Sequence, residues 1–175
     1  MTTALDSLPL GHFVEFKGPI GNFEYLGRGS CLLLGKKREV KRFIMICAGS
    51  GITPIFQVLR AVLQDKEDKT KVLVLDGNRE ETDILCKEEM DEMARGKEQR
   101  CRLLYTLSKP TEEWNGLRGR LGKETLEKEV GKKGEKGGLG EEEELVLICG
   151  PEALEKSVHE ILGGLGWRDE DLLFF

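Results

Sequence analysis

The sequence predicts an α/β fold: a parallel five-stranded sheet with helices on both faces, preceded by the last strands of a truncated antiparallel β-barrel. Two observations carry this. From residue 43 onward, short apolar runs alternate with amphipathic ones, the pattern of repeated strand–helix–strand units. Residues 1–40 instead hold short runs broken by glycine and proline, a β pattern. The predicted division is therefore 1–40, a remnant of a β-barrel, and 41–175, an α/β unit. So few strands leave sheet edges unprotected, so the chain is expected to be a fragment of something longer.

In the first part, His12–Phe16 alternates and reads as a strand, with His12 in a structural role. Phe23–Leu26 and Cys31–Leu34 read as further strands, closed by a turn at Gly35-Lys36-Lys37-Arg38. In the second part, Phe43–Cys47, Lys71–Leu75, Cys101–Leu107, Leu145–Cys149 and Leu172–Phe175 are the five strands. The helices are Thr53–Leu63, a segment through Leu85, Met90 and Met93 capped by Thr82 or Asp83, Leu121–Val130, and Pro151–Leu162. Gly131–Glu144, rich in glycine and lysine and ending in four glutamates, reads as a mobile surface loop.

Composition narrows the function. The 175 residues carry a net charge of −5, which gives no reason to expect nucleic acid or an anionic membrane as partner. No apolar run approaches the roughly 20 residues that span a bilayer. Five scattered cysteines without a C-x-x-C, and only two histidines, argue for reduced thiols in the cytoplasm and against a disulfide framework or a metal site.

Ligands of parallel sheets bind beyond the carboxyl ends of the strands. Three stretches fall there: Gly49-Ser50-Gly51-Ile52-Thr53-Pro54, Asp76–Asp83 and Cys149-Gly150-Pro151. The first has two readings. It is a backbone cradle for a phosphate or pyrophosphate at a helix start, or a strand-to-helix turn that needs glycine only for sterics. Neither G-x-x-x-x-G-K-[ST] nor G-x-G-x-x-G is present. Cys149 likewise reads as a buried structural thiol or as a group facing the ligand crevice. No partnering histidine supports a Cys–His nucleophile.

Taken together, Gly49–Pro54, Asn78-Arg79 with Asp83-Ile84-Leu85, Tyr105-Thr106-Leu107 with Trp114, and Cys149-Gly150-Pro151 resemble the pyridine-nucleotide half of the ferredoxin reductase superfamily. The closest branch is cytochrome b5 reductase and the flavin-containing end of assimilatory nitrate reductases. Leu8–Gly21 resembles the end of that family's flavin barrel. The resemblance implies a nicotinamide nucleotide along the sheet edge. Its pyrophosphate would lie at Gly49, Ser50, Gly51 and Thr53, with Pro54 opening the helix. Its nicotinamide would lie between Thr53 and Cys149, the two residues expected at the hydride transfer. Asn78, Arg79, Gly150 and Pro151 would complete the nucleotide site. The hydride would go to FAD, and from there electrons would go to haem and a molybdenum centre in other domains of the full-length protein, which could form a homodimer.

NADH-using relatives carry an acid and an aromatic where this chain has Ser108 and Arg120. Loss of a carboxylate and gain of a guanidinium favour a 2′-phosphate, so NADPH is expected over NADH, as in the fungal type of nitrate reductase. Arg118 and Lys109 stand nearby. The other reading makes these solvated surface charges. The family's flavin-gripping Arg-x-Tyr-[ST] segment is not in the sequence, and only Met1-Thr2 match its Met-[ST] flavin-phosphate contact. FAD is therefore expected to be held mostly by residues upstream. Alternatives are a fragment of an NAD(P)H-cytochrome b5 reductase, or a truncated nucleotide-binding module without catalysis.

Overall fold

Two sheets organise the chain in a computed structural model, which describes residues 2–18, 21–134 and 143–175. A short helix, α1 (Thr2–Asp6), comes first. Then β1 (Phe23–Gly27), β2 (Ser30–Leu33) and β3 (Lys36–Glu39) form an antiparallel sheet in the order 1-2-3. The second sheet is all parallel. Its strands are β4 (Arg42–Ala48), β5 (Lys71–Asn78), β6 (Cys101–Leu107), β7 (Leu117–Arg118), β8 (Glu144–Cys149) and β9 (Leu172–Phe174), in the order 7-6-5-4-8-9. Four helices cover it: α2 (Ile52–Gln64), α3 (Lys87–Ala94), α4 (Lys123–Glu129) and α5 (Glu152–Gly164).

The apolar strands serve both faces, because successive side chains point opposite ways. Phe43, Met45 and Cys47 of β4 join Val72 and Val74 of β5 under Ile55, Leu59 and Val62 of α2. Ile44, Ile46, Leu73 and Leu75 join Leu126 of α4 and Val158 and Leu162 of α5 on the opposite face. The small sheet packs into the first of these cores through Phe23 and Tyr25, whose rings meet Phe43 edge-on at 6.2 and 5.6 Å. Tyr25 also donates to buried Asp68, which tethers β1 to the loop before β5.

Several expectations are corrected. The parallel sheet has six strands, because Leu117–Arg118 pairs with Thr106–Leu107 at the edge; two residues carry no readable period. Lys36–Glu39 is a strand and not a closing turn. It pairs with Ser30–Leu33; Lys36, Lys37 and Glu39 are exposed, while Arg38 turns inward to pair with Asp171. His12–Phe16 is irregular and exposed, since a strand requires a partner and none pairs with it among the described residues. His12 is exposed as well, so no packing role attaches to it. The helix expected from Thr82 splits. A single turn at Glu81–Asp83 is followed by Cys86 at φ 55° before α3 begins. The break lets Ile84 bury against Leu107 and Trp114.

The loop read over Gly131–Glu144 is anchored at both ends. Gly131 is buried, and its carbonyl accepts from Trp167 Nε1 at 3.1 Å. Lys133 sits over the Trp167 ring and pairs with buried Asp171 at 3.2 Å. Glu144 is buried and pairs with Arg42 at 2.8 Å. Composition could not reveal this, because these charges are satisfied by partners far along the chain. Residues 135–142 of that loop lie outside the described residues.

Candidate functional site: a crevice at the sheet's switch point

The strand order reverses at β4. The chain leaves it towards β5 on one side and returns to β8 on the other, with α2 and α5 on opposite faces. That reversal opens a crevice at the carboxyl ends, the usual ligand position in such sheets. A cavity of about 720 Å³ lies there, lined by Gly49, Ser50, Gly51 and Thr53 after β4, Asn78 and Arg79 after β5, and Cys149, Gly150 and Pro151 after β8. Of the residues in these stretches expected to touch the nucleotide, only Pro54 is not in the lining. It sits one residue further into α2, half-buried.

The glycine turn has two distinct physical requirements. Gly49 has φ 54°, a left-handed conformation that glycine adopts freely. Gly51 is different. A Cβ there would overlap the Cys149 carbonyl group, so glycine lets the loop press against the end of β8. Thr53 Oγ1 donates back to the Ser50 carbonyl at 3.0 Å, which braces the turn. The Gly150 N–H donates to Glu155 of α5 at 3.3 Å, fixing the second loop. Cys149 is half-buried on the cavity wall; burial and the Glu155 carboxylate push its thiol pKa up. At neutral pH it stands as a thiol, a packing and hydrogen-bonding group.

A second, smaller cavity of about 340 Å³ adjoins the first through Ala48, Gly77, Asn78 and Pro151. Ser108 and Arg120 line it, facing Ala153, Leu154 and Ser157 of α5. The two residues singled out for a 2′-phosphate therefore meet across one pocket, although twelve positions apart in sequence. The Arg120 guanidinium is exposed. Arg118 is committed elsewhere: its guanidinium donates to the carbonyls of Thr111, Glu112 and Trp114. Trp114 is structural too, buried with its Nε1 donating to Leu117 O at 2.9 Å. Met1 lies outside the described residues. Thr2 opens α1.

One group escaped the sequence reading. Asp76 ends the apolar run Val72–Leu75 and is buried, next in the chain to the cavity-lining Gly77 and Asn78. Its Oδ1 accepts a long bond from Cys47 Sγ at 3.5 Å. Its Oδ2 and both amide atoms of Asn78 are buried without a hydrogen-bond partner of normal geometry. The signal was available, as a lone carboxylate closing an apolar strand is costly unless it has a use.

These residues fit a dinucleotide. Glycine backbone approaches the crevice where a pyrophosphate would lie, an amide with unused donors and acceptor borders it, and a guanidinium stands at the far pocket.

Comparison with known proteins agrees. The family profile of the oxidoreductase NAD-binding domain matches residues 45–160, and that of the oxidoreductase FAD-binding domain matches residues 1–25. The chain is 57% identical over its whole length to a nitrate reductase [NADPH] of Beauveria bassiana, and 42% identical to nitrate reductase [NADH] 1 of Phaseolus vulgaris. It spans 19% of the length of each of these relatives. The cytochrome b5 reductase domain of Ulva prolifera nitrate reductase superposes with a TM-score of 0.85 at 31% identity, over 99% of this chain and 64% of that one. The chain therefore belongs to the family of oxidoreductase NAD-binding domains, with the ferredoxin reductase-type nucleotide fold.

Proposed function

We propose that this chain is the NADPH-binding part of a flavin-dependent nitrate reductase. Residues 41–175 take the nucleotide, and residues 1–40 belong with the FAD-binding domain. The observation that carries the reading is the pair of joined cavities, which brings Gly49–Thr53, Asn78, Arg79 and Cys149–Pro151 together with Ser108 and Arg120. The pyrophosphate lies on the Gly49–Thr53 backbone, with the nicotinamide between Thr53 and Cys149 and the 2′-phosphate at Ser108 and Arg120. The higher identity to a relative named for NADPH than to one named for NADH supports the choice of nucleotide.

The chain's own contribution is positioning. Thr53 and Cys149 hold the nicotinamide face, and a neutral Cys149 orients the ring without forming a covalent bond. A flavin bound with the upstream residues would supply the hydride acceptor. Its phosphate contact falls at Met1-Thr2. Haem and molybdenum cofactor belong to other domains of the full-length enzyme, which we place in the cytoplasm and read as a homodimer. No described helix is long and apolar enough to cross a membrane.

The test is isothermal titration of the chain with NADP⁺ and NAD⁺ at equal salt, before and after Ser108→Asp with Arg120→Phe. The expected result is a preference for NADP⁺ that falls by about tenfold or more in the double variant, since one charge-assisted contact is worth about 1.5–3 kcal/mol. An unchanged ratio of dissociation constants would remove the 2′-phosphate from this pocket.

A further inference from the structure

The buried carboxyl of Asp76 is the feature that the nucleotide reading leaves unexplained. It lies in a row across the sheet. Cys149, Cys47, Asp76 and Tyr105 are register neighbours on β8, β4, β5 and β6, and all lie on the α2 face. No charge-compensating cation belongs to this row. Burial keeps the Cys47 thiol and the Tyr105 phenol neutral. The Tyr105 hydroxyl donates to Asp91 of α3 at 2.8 Å, and Asp91 in turn pairs with Lys87. In the cavity above, Arg79 is exposed beside Glu80, and Asp83 accepts from the Glu80 N–H at 3.0 Å. Asp76 thus meets a thiol on one side and the Asn78 amide on the other, and its Oδ2 and both Asn78 amide atoms are buried without a hydrogen bond of normal geometry.

We propose that Asp76 is a positioning residue that takes up a proton when the dinucleotide binds, and so turns the Asn78 amide donor outward to the ligand. The inference rests on reading the crevice as the nucleotide site. The bookkeeping of hydrogen bonds is specific. With Asp76 ionised, the Asn78 NH₂ is drawn down to the carboxylate, and Oδ1 is the amide atom left for the ligand side. An oxygen acceptor is the wrong group to offer a pyrophosphate or a ribose oxygen. With Asp76 protonated, its O–H donates to Asn78 Oδ1. The NH₂ group then points into the crevice, where it donates to the ligand. Neutralisation also removes an anion from beneath a polyanion, where the low dielectric makes repulsion strong. The proton comes from solvent, and no bond other than O–H is made. Burial raises the free carboxyl to a pKa of about 6, with Asn78 and Cys47 pulling it partly back, which puts the exchange within reach of neutral pH.

The test compares NADP⁺ affinity from pH 5.5 to 7.5 in the unaltered chain and in Asp76→Asn. The variant's amide mimics the neutral acid at every pH. The 2′-phosphate also ionises near pH 6, but it does so equally in both proteins and cancels in the ratio. Affinity of the unaltered chain relative to Asp76→Asn should fall by about tenfold or more over this range, as the competent fraction falls. Parallel profiles would overturn the inference while leaving the nucleotide site standing. Absence of binding in both proteins would overturn the site and the inference together. Should Asp76→Asn fail to fold, titration of the unaltered chain with NAD⁺, which lacks the 2′-phosphate, in two buffers of different ionisation enthalpy at pH 6.5 decides the matter. Net proton uptake supports the assignment, and none rejects it.

Discussion

At the scale of single residues, the site is built from groups that work against stability. Asp76 is the clearest case. Its carboxyl is raised to about 6 in the folded chain, above the usual unfolded value near 4. The folded state therefore holds the proton more tightly. Stability is unaffected below the unfolded pKa, is lost as pH rises through the folded pKa, and stays reduced above it. Asp76→Asn should accordingly raise the unfolding free energy at pH 8, by up to about 3 kcal/mol, and change it little at pH 3.5. Urea denaturation at the two pH values measures this, and equal gains at both would assign the effect to packing. Gly51 makes a second residue-scale case. Gly51→Ala forces a methyl group into the Cys149 carbonyl and should cost about 1–3 kcal/mol, with weakened nucleotide binding. Gly49→Ala strains only a left-handed turn, and about 1–2 kcal/mol is expected.

At the scale of elements, the entrance ends of the strands are pinned by charge and the exit ends are left open for the ligand. Arg42 of β4 and Glu144 of β8 pair at 2.8 Å with both side chains largely buried. Arg38 of β3 and Lys133 converge on Asp171 just before β9. Burial raises the Asp171 carboxyl, but the Arg38 and Lys133 cations together outweigh it and hold the group below its usual range. Truncating one partner strands a buried charge. Glu144→Leu alone or Arg42→Met alone should therefore cost roughly 3–5 kcal/mol, whereas the two together should come close to neutral. Thermal unfolding of the two single variants and the double variant supplies the cycle. Additive losses would show that the pair acts only as two independent polar groups.

At the scale of the whole molecule, the crevice proposed for the nucleotide is walled by four parts of the fold: the α2 turn, the end of β5, the β6–β7 edge and the start of α5. A ligand across them should stabilise the fold as a unit. At a hundredfold excess over the dissociation constant, the gain is about 2.7 kcal/mol. For a domain of this size that corresponds to a rise in Tm of roughly 5–10 °C. NADP⁺ should produce the larger shift and NAD⁺ the smaller in a thermal melt. Equal shifts would argue that the Ser108–Arg120 pocket contributes nothing.

The alternation of apolar runs made the parallel sheet and its covering helices legible from residues alone. Ile44–Cys47 or Leu145–Cys149 can be buried on both faces only inside such a sheet. The Gly49–Thr53 and Cys149–Pro151 turns were legible for the same reason, since they punctuate that pattern. What local sequence could not hold was anything defined by a distant partner. The edge strand Leu117–Arg118 exists because Thr106 and Leu107 are there to pair with it. Lys133 and Glu144 lie in a stretch whose composition reads as solvated, and they are ordered by Trp167, Asp171 and Arg42. The burial of Asp76 follows from strands packed on both its sides. Period and turn chemistry are properties of neighbours along the chain, so the fold class and the loops at the carboxyl ends of the strands could be read from the residues alone. Burial, charge pairing and the ionisation of Asp76 are properties of neighbours in space, and they took shape only when the strands and helices packed together.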